Sequence, residues 1–82
     1  MELNYAALSE RLKGLDRYGQ LVIYIFNVQG NRIARLNFES AAKALNVDRR
    51  TIGRYLKELA NRRVVLFHDD KLQLNEEILN LG

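Results

Sequence analysis

Eighty-two residues with 48% apolar content and neither proline nor cysteine are enough for one core and too few for two, and they exclude a disulfide framework or thiolate metal site. The longest apolar run, Leu21–Phe26, is six residues where a membrane span needs ~20, and the opening Met-Glu-Leu-Asn lacks the basic flank of an export signal, so a cytoplasmic protein is expected. The net charge of +3 is uneven: Lys43, Arg49, Arg50, Arg54, Lys57, Arg62 and Arg63 stand against only Asp48 and Glu58, a local surplus of +5 that leaves the rest of the chain at −2.

In chain order, Glu2–Lys13 is predicted to be a short amphipathic helix, with Leu3, Leu8, Leu12 and Leu15 near helical spacing and Gly14 placed to end it. Residues 1–15 are thus an N-terminal helical extension, and 16–82 form the main domain. Asp16 offers an N-cap for a second helix to about Val28, where Tyr18, Leu21, Val22, Ile25 and Val28 keep the same period. The Leu-Val-Ile-Tyr-Ile-Phe run is also rich in strand formers, which leaves a buried strand open on periodicity alone.

Gln29-Gly30-Asn31 predicts a turn, and the alternation in Arg32–Leu36 predicts one short strand. Asn37 is placed to cap a helix over Phe38–Leu45 with Phe38, Ala41, Ala42 and Leu45 on one face, and Asn46 is suited to stop it in the left-handed region. Asp48 caps the next helix. There Ile52, Leu56 and Leu59 line one side, while Arg50, Gly53, Arg54 and Lys57 share the other. Val64–His68 and Leu72–Leu74 predict a hairpin about Asp69-Asp70, and Asn75 before Glu76-Glu77 predicts a final helical turn over Glu76–Leu81.

A basic segment inside a slightly acidic body is the footprint of a nucleic-acid face; the alternative is a solvated helix surface. Asn37-Phe-Glu-Ser-Ala-Ala-Lys-Ala-Leu-Asn-Val-Asp-Arg-Arg-Thr-Ile-Gly-Arg-Tyr-Leu-Lys-Glu-Leu59 resembles the helix-turn-helix of the winged-helix superfamily. Ala42 stands where the two helices cross closely, Asn46-Val47 at the turn, and Asp48 with Arg49-Arg50-Thr51-Ile52 at the start of the recognition helix. The resemblance covers Asp16–Asn75. It implies an α+β fold: a small winged helix-turn-helix, with a three-helix core, a short strand and a β-hairpin wing, preceded by the N-terminal helix. A narrower likeness is to the winged-helix replication proteins of small Gram-positive plasmids, in which a wing strand runs into an Asn-Pro step and a terminal glycine. The counterpart is Leu74-Asn75-Glu76-Glu77-Ile78-Leu79-Asn80-Leu81-Gly82, with Glu76 in place of the proline.

These likenesses imply sequence-specific binding of double-stranded DNA, in transcription control or in the control or replication of a plasmid or phage. A recognition helix over about 49–62 would enter the major groove N-terminus first, so Arg49, Arg50, Thr51 and Arg54 are the candidate base contacts. Arginine presents two parallel donors to guanine O6 and N7, which favours Arg50 and Arg54. Lys43, Tyr55, Lys57, Arg62, Arg63, Lys71 and Gln73 are the candidate phosphate contacts, with Arg35 a weaker one. Tyr55 at the edge of the apolar stripe also suits half-buried packing. Gly53 leaves room for close approach of DNA backbone, or is incidental.

Asp69 and Asp70 at the wing tip would repel phosphate, so the wing is expected either to stay outside the minor groove or to touch DNA only through Lys71 and Gln73. His68 beside them lacks the ligand count of a zinc site. Without a cysteine, a glycine-rich phosphate loop or paired carboxylates on one face, no catalytic residue, metal or cofactor is assigned. A homodimer is expected, because a single small domain reads too few base pairs, with Glu2–Leu15 and the Leu21–Phe26 helix as the candidate contact. The alternative function is a winged helix that docks onto a protein.

Overall fold

The computed structural model describes residues 1–13 and 16–82. The described residues form an α+β fold: strand β1 (Glu2–Leu3), helices α1 (Tyr5–Arg11), α2 (Asp16–Gln29), α3 (Phe38–Leu45) and α4 (Arg49–Asn61), a hairpin of β2 (Val65–His68) and β3 (Lys71–Leu74), a three-residue 3-10 turn (Glu76–Ile78), and strand β4 (Leu79–Asn80). No described helix is long and apolar enough to cross a membrane.

The N-terminal segment begins differently from its leucine spacing. Asn4, not Glu2, opens the helix: its side chain accepts from Ala7 N at 3.1 Å while its own N–H donates to the Ile78 carbonyl at 2.8 Å. Glu2 and Leu3 are thereby held as a strand, antiparallel to Asn80 and Leu79. Leu3, Leu8 and Leu12 are all buried, so the spacing marked the right side chains but the wrong start. The expected contributions of Gly14 and Leu15 lie outside the described residues.

Over α2 the 3–4 period prevails over the strand-forming composition, and Leu21, Val22 and Ile25 are fully buried. Asp16 is the first helical residue rather than the cap, a place where its charge suits the helix dipole. Val28, expected inside, is 46% exposed; Gln29 is buried instead. A buried amide requires partners, and Gln29 Nε2 donates to the carbonyls of Leu72 and Arg32, both at 3.0 Å. Gly30, at φ +58°, then turns the chain in the left-handed conformation that favours glycine.

The strand expected over Arg32–Leu36 contracts to a single bridge, Ala34 with Leu72, made by reciprocal hydrogen bonds of 3.0 and 2.9 Å. From Asn37 the chain follows its local signals closely. Asn37 caps α3 by accepting from Ser40 N at 3.0 Å, and Asn46, left-handed at φ 56°, ends it. Asp48 caps α4 by accepting from Arg50 N at 2.7 Å.

Ile52, Leu56 and Leu59 are at most 1% exposed, each contributing about 1.5–3 kcal/mol by leaving water. With Leu21, Val22, Ile25, Val64, Val65, Leu72, Leu74 and Ile78 they form one core, which also takes in Leu3, Leu8 and Leu12. In the hairpin Val65 pairs with Leu74 and Phe67 with Leu72; Val65, Leu72 and Leu74 are in the core, while Phe67 is 50% exposed. The helical turn expected over Glu76–Leu81 is shorter. Asn75 accepts from Glu77 N at 2.9 Å, but after Ile78 the chain straightens into β4 to meet β1.

Candidate nucleic-acid interface

The burial of Ile52, Tyr55, Leu56 and Leu59 fixes the rotation of α4 and so decides which side chains it offers to solvent. Arg49, Arg50, Arg54 and Lys57 are exposed, and Thr51 and Gly53 are partly so. The four candidate base contacts therefore share the first two turns of one helix. Arg54 Nη2 donates to Thr51 Oγ1 at 3.3 Å, which holds that guanidinium along the helix. Arg49 Nη1 lies 3.8 Å from Glu39 Oε1 on α3, with both side chains about 70% exposed. A pair so open to water is worth at most ~1 kcal/mol and gives way readily to another anion. Arg50 and Lys57 make no ion pair among the described residues.

The candidate phosphate contacts divide into two groups. Lys43, Lys57, Arg63 and Lys71 are exposed. The others are engaged within the fold. Tyr55 is only 9% exposed, its ring centroid 4.4 Å from that of Tyr18, which places it in the core rather than at the surface. Arg62 folds back so that Nε donates to Glu58 Oε2 at 2.8 Å and Nη1 to the Arg11 carbonyl at 3.0 Å, tying α4 to the end of α1. Gln73 Nε2 donates to the Asn31 carbonyl at 3.2 Å, and its Oε1 lies 3.0 Å from His68 Nε2.

At the hairpin tip Asp69 takes a left-handed conformation, φ 58°, tolerable for an aspartate in a tight turn. Asp70 is ion-paired with Arg35, a contact between the tip and the Arg32–Leu36 segment that is as open to water as the Arg49–Glu39 pair and as weak. Arg17, on the first turn of α2, was not singled out by the sequence. It lines a hollow of about 200 Å³ with Leu45, Asn46, Val47 and Tyr55, adding a cation beside the turn that leads into α4. Only the folding of α2 against α3 and α4 brings it there; a lone arginine thirty residues upstream carries no local signal. Among the described residues no group of three or more His, Asp or Glu side chains is placed to hold a metal ion.

Comparisons with protein-family models, curated proteins and solved structures return no match to this chain, and the functional reading rests on its own residues.

Proposed function

We propose that this domain is a winged helix-turn-helix that binds double-stranded DNA in a sequence-specific manner, with α4 as the recognition helix in the major groove and the β2–β3 hairpin as the wing. One observation carries the reading: α4 turns Ile52, Leu56 and Leu59 inward and leaves Arg50, Arg54 and Lys57 exposed along its other side. The order α2, short bridge, α3, turn, α4, hairpin is the one the superfamily resemblance implies. Arg50 and Arg54 read bases; Lys57, with Lys43 and Arg63 nearby in sequence, meets phosphates. Arg17 joins them as a cation at the α3–α4 turn. Control of transcription, or of plasmid or phage replication, is the role this chemistry serves.

Salt titration of binding to duplex DNA tests the reading. The logarithm of the association constant should fall linearly with the logarithm of salt concentration, with a slope of ~0.9 per phosphate neutralised. A chain without duplex affinity at low salt would instead be a protein-docking module whose basic face meets an acidic surface.

A further inference from the structure

The DNA reading leaves one face of the molecule unused. From Tyr18 to Gln29, twelve consecutive residues carry no charge, in a chain that is 28% charged overall. Part of this run is core, but Gln20, Ile23, Asn27 and Val28 face solvent, with Ile23 41% and Val28 46% exposed. The outward side of a surface helix is normally where charge collects.

Ile23 is also flanked by sockets. On one side lies an open depression of about 310 Å³ between α1 and α2, with Lys13 and Asp16 in its lining; on the other lies an open one of about 320 Å³ between α2 and α3, lined by Gln20, Tyr24, Asn27, Ala44 and Leu45. A partly exposed apolar side chain and an uncharged depression able to take it therefore sit side by side on the α2–α3 side of the molecule. We propose that a second copy of this chain docks there, with Ile23 of each copy seated in the α2–α3 groove of the other.

Three features select this occupant. A two-fold contact uses the same patch twice, so the patch must hold both the protrusion and its recess, as this one does. Without charges it meets its own copy with no like-charge repulsion, whereas a charged partner would lose water against Gln20 and Asn27 with no counter-ion to replace it. A lipid surface is disfavoured because helices that lie on membranes line their polar side with lysine and arginine, and here that side carries glutamine and asparagine.

Of the two segments expected to make the contact, Glu2–Leu15 has Leu3, Leu8 and Leu12 in the chain's own core, and the Leu21–Phe26 helix is the one that supplies Ile23. A standard interface covers ~800 Å² per partner, about 15% of this chain's 5400 Å² surface. A contact centred on one helix is expected to be reversible, with association rising between micromolar and millimolar concentrations.

Sedimentation of the full chain without DNA tests the proposal independently of the DNA reading. The mass should rise from monomer to dimer with concentration. Ile23→Glu, at an exposed position, should weaken association by about 30-fold or more, and Asn27→Glu should do the same should Ile23→Glu prove unfolded by circular dichroism. Leu66→Gln, on the hairpin, should leave association unchanged. Because the chain has no cysteine, mixing Ile23→Cys with Ala44→Cys chains should give a mixed disulfide dimer in preference to either homodimer. A monomer at every concentration up to about 1 mM, or a dimer that both glutamate variants leave intact, overturns the proposal.

Discussion

Gly53 on α4 faces the ring of Phe38 on α3 across a gap that would leave an added Cβ 3.8 Å from Phe38 Cε2, an ordinary contact. The fold itself therefore does not require a glycine here, and a glycine inside a helix costs about 1 kcal/mol relative to alanine. Gly53→Ala should raise the melting temperature by roughly 4–8 °C. If DNA backbone approaches α4 at this position, the same variant should bind duplex several-fold more weakly. Thermal denaturation and duplex titration of one preparation check both; a stabilised protein with unchanged affinity would make Gly53 incidental to binding.

Arg62 and Lys57 are both basic residues of the α4 region but should fail in opposite ways. Arg62 joins Glu58 and the Arg11 carbonyl, and is about a third exposed. After allowance for screening, Arg62→Ala should cost about 1 kcal/mol of stability while leaving the salt dependence of DNA binding nearly unaltered. Lys57→Ala should leave stability unchanged and reduce the salt slope by about one unit. Denaturant melts beside salt titrations separate the two.

Arg54 is assigned to bases, so its geometry should matter beyond its charge. Arg54→Lys keeps the cation and removes the planar fork. On the preferred site it should lose about 1–3 kcal/mol, with a much smaller loss on unrelated duplex. Equal losses on both would make Arg54 a phosphate contact.

The acidic hairpin tip should work against binding. Asp69→Asn with Asp70→Asn removes two negative charges and frees Arg35 from its ion pair. Duplex affinity at low salt should increase several-fold if the tip lies within a Debye length, ~10 Å at 0.1 M salt, of a phosphate. Unchanged affinity would place the hairpin tip clear of the DNA.

Gln29→Leu replaces a buried amide that serves two carbonyls, those of Leu72 and Arg32. The Leu72 carbonyl keeps the Ala34 N–H as a donor, so the loss is that of one hydrogen bond to it and one to the part-buried Arg32 carbonyl, and denaturant unfolding should show a decrease of about 1 kcal/mol although the variant is more apolar.

The stretch from Asn37 to Asn61 was legible residue by residue because its signals are local. Asn37 and Asp48 each cap the helix that begins one residue later, and Asn46 ends α3 by its own backbone conformation. What escaped reading depends on distant partners. Glu2–Leu3 reads as helix until Leu79–Asn80 arrives to pair with it, and Gln29 reads as a turn residue until the Leu72 and Arg32 carbonyls come within reach of its amide. Within the candidate site, the exposure of Arg50, Arg54 and Lys57 follows from helix periodicity alone. The diversion of Arg62 to Arg11, and of Arg35 to Asp70, could not be seen from spacing.

The pairing of Glu2 with Asn80 makes the fold almost a ring, since Cα atoms across such a pair are about 5 Å apart. Any segment joined before Glu2 and any joined after Asn80 would leave the domain side by side. Tension applied through the two would open β1 from β4 one pair at a time, as a zipper opens, before loading the helices.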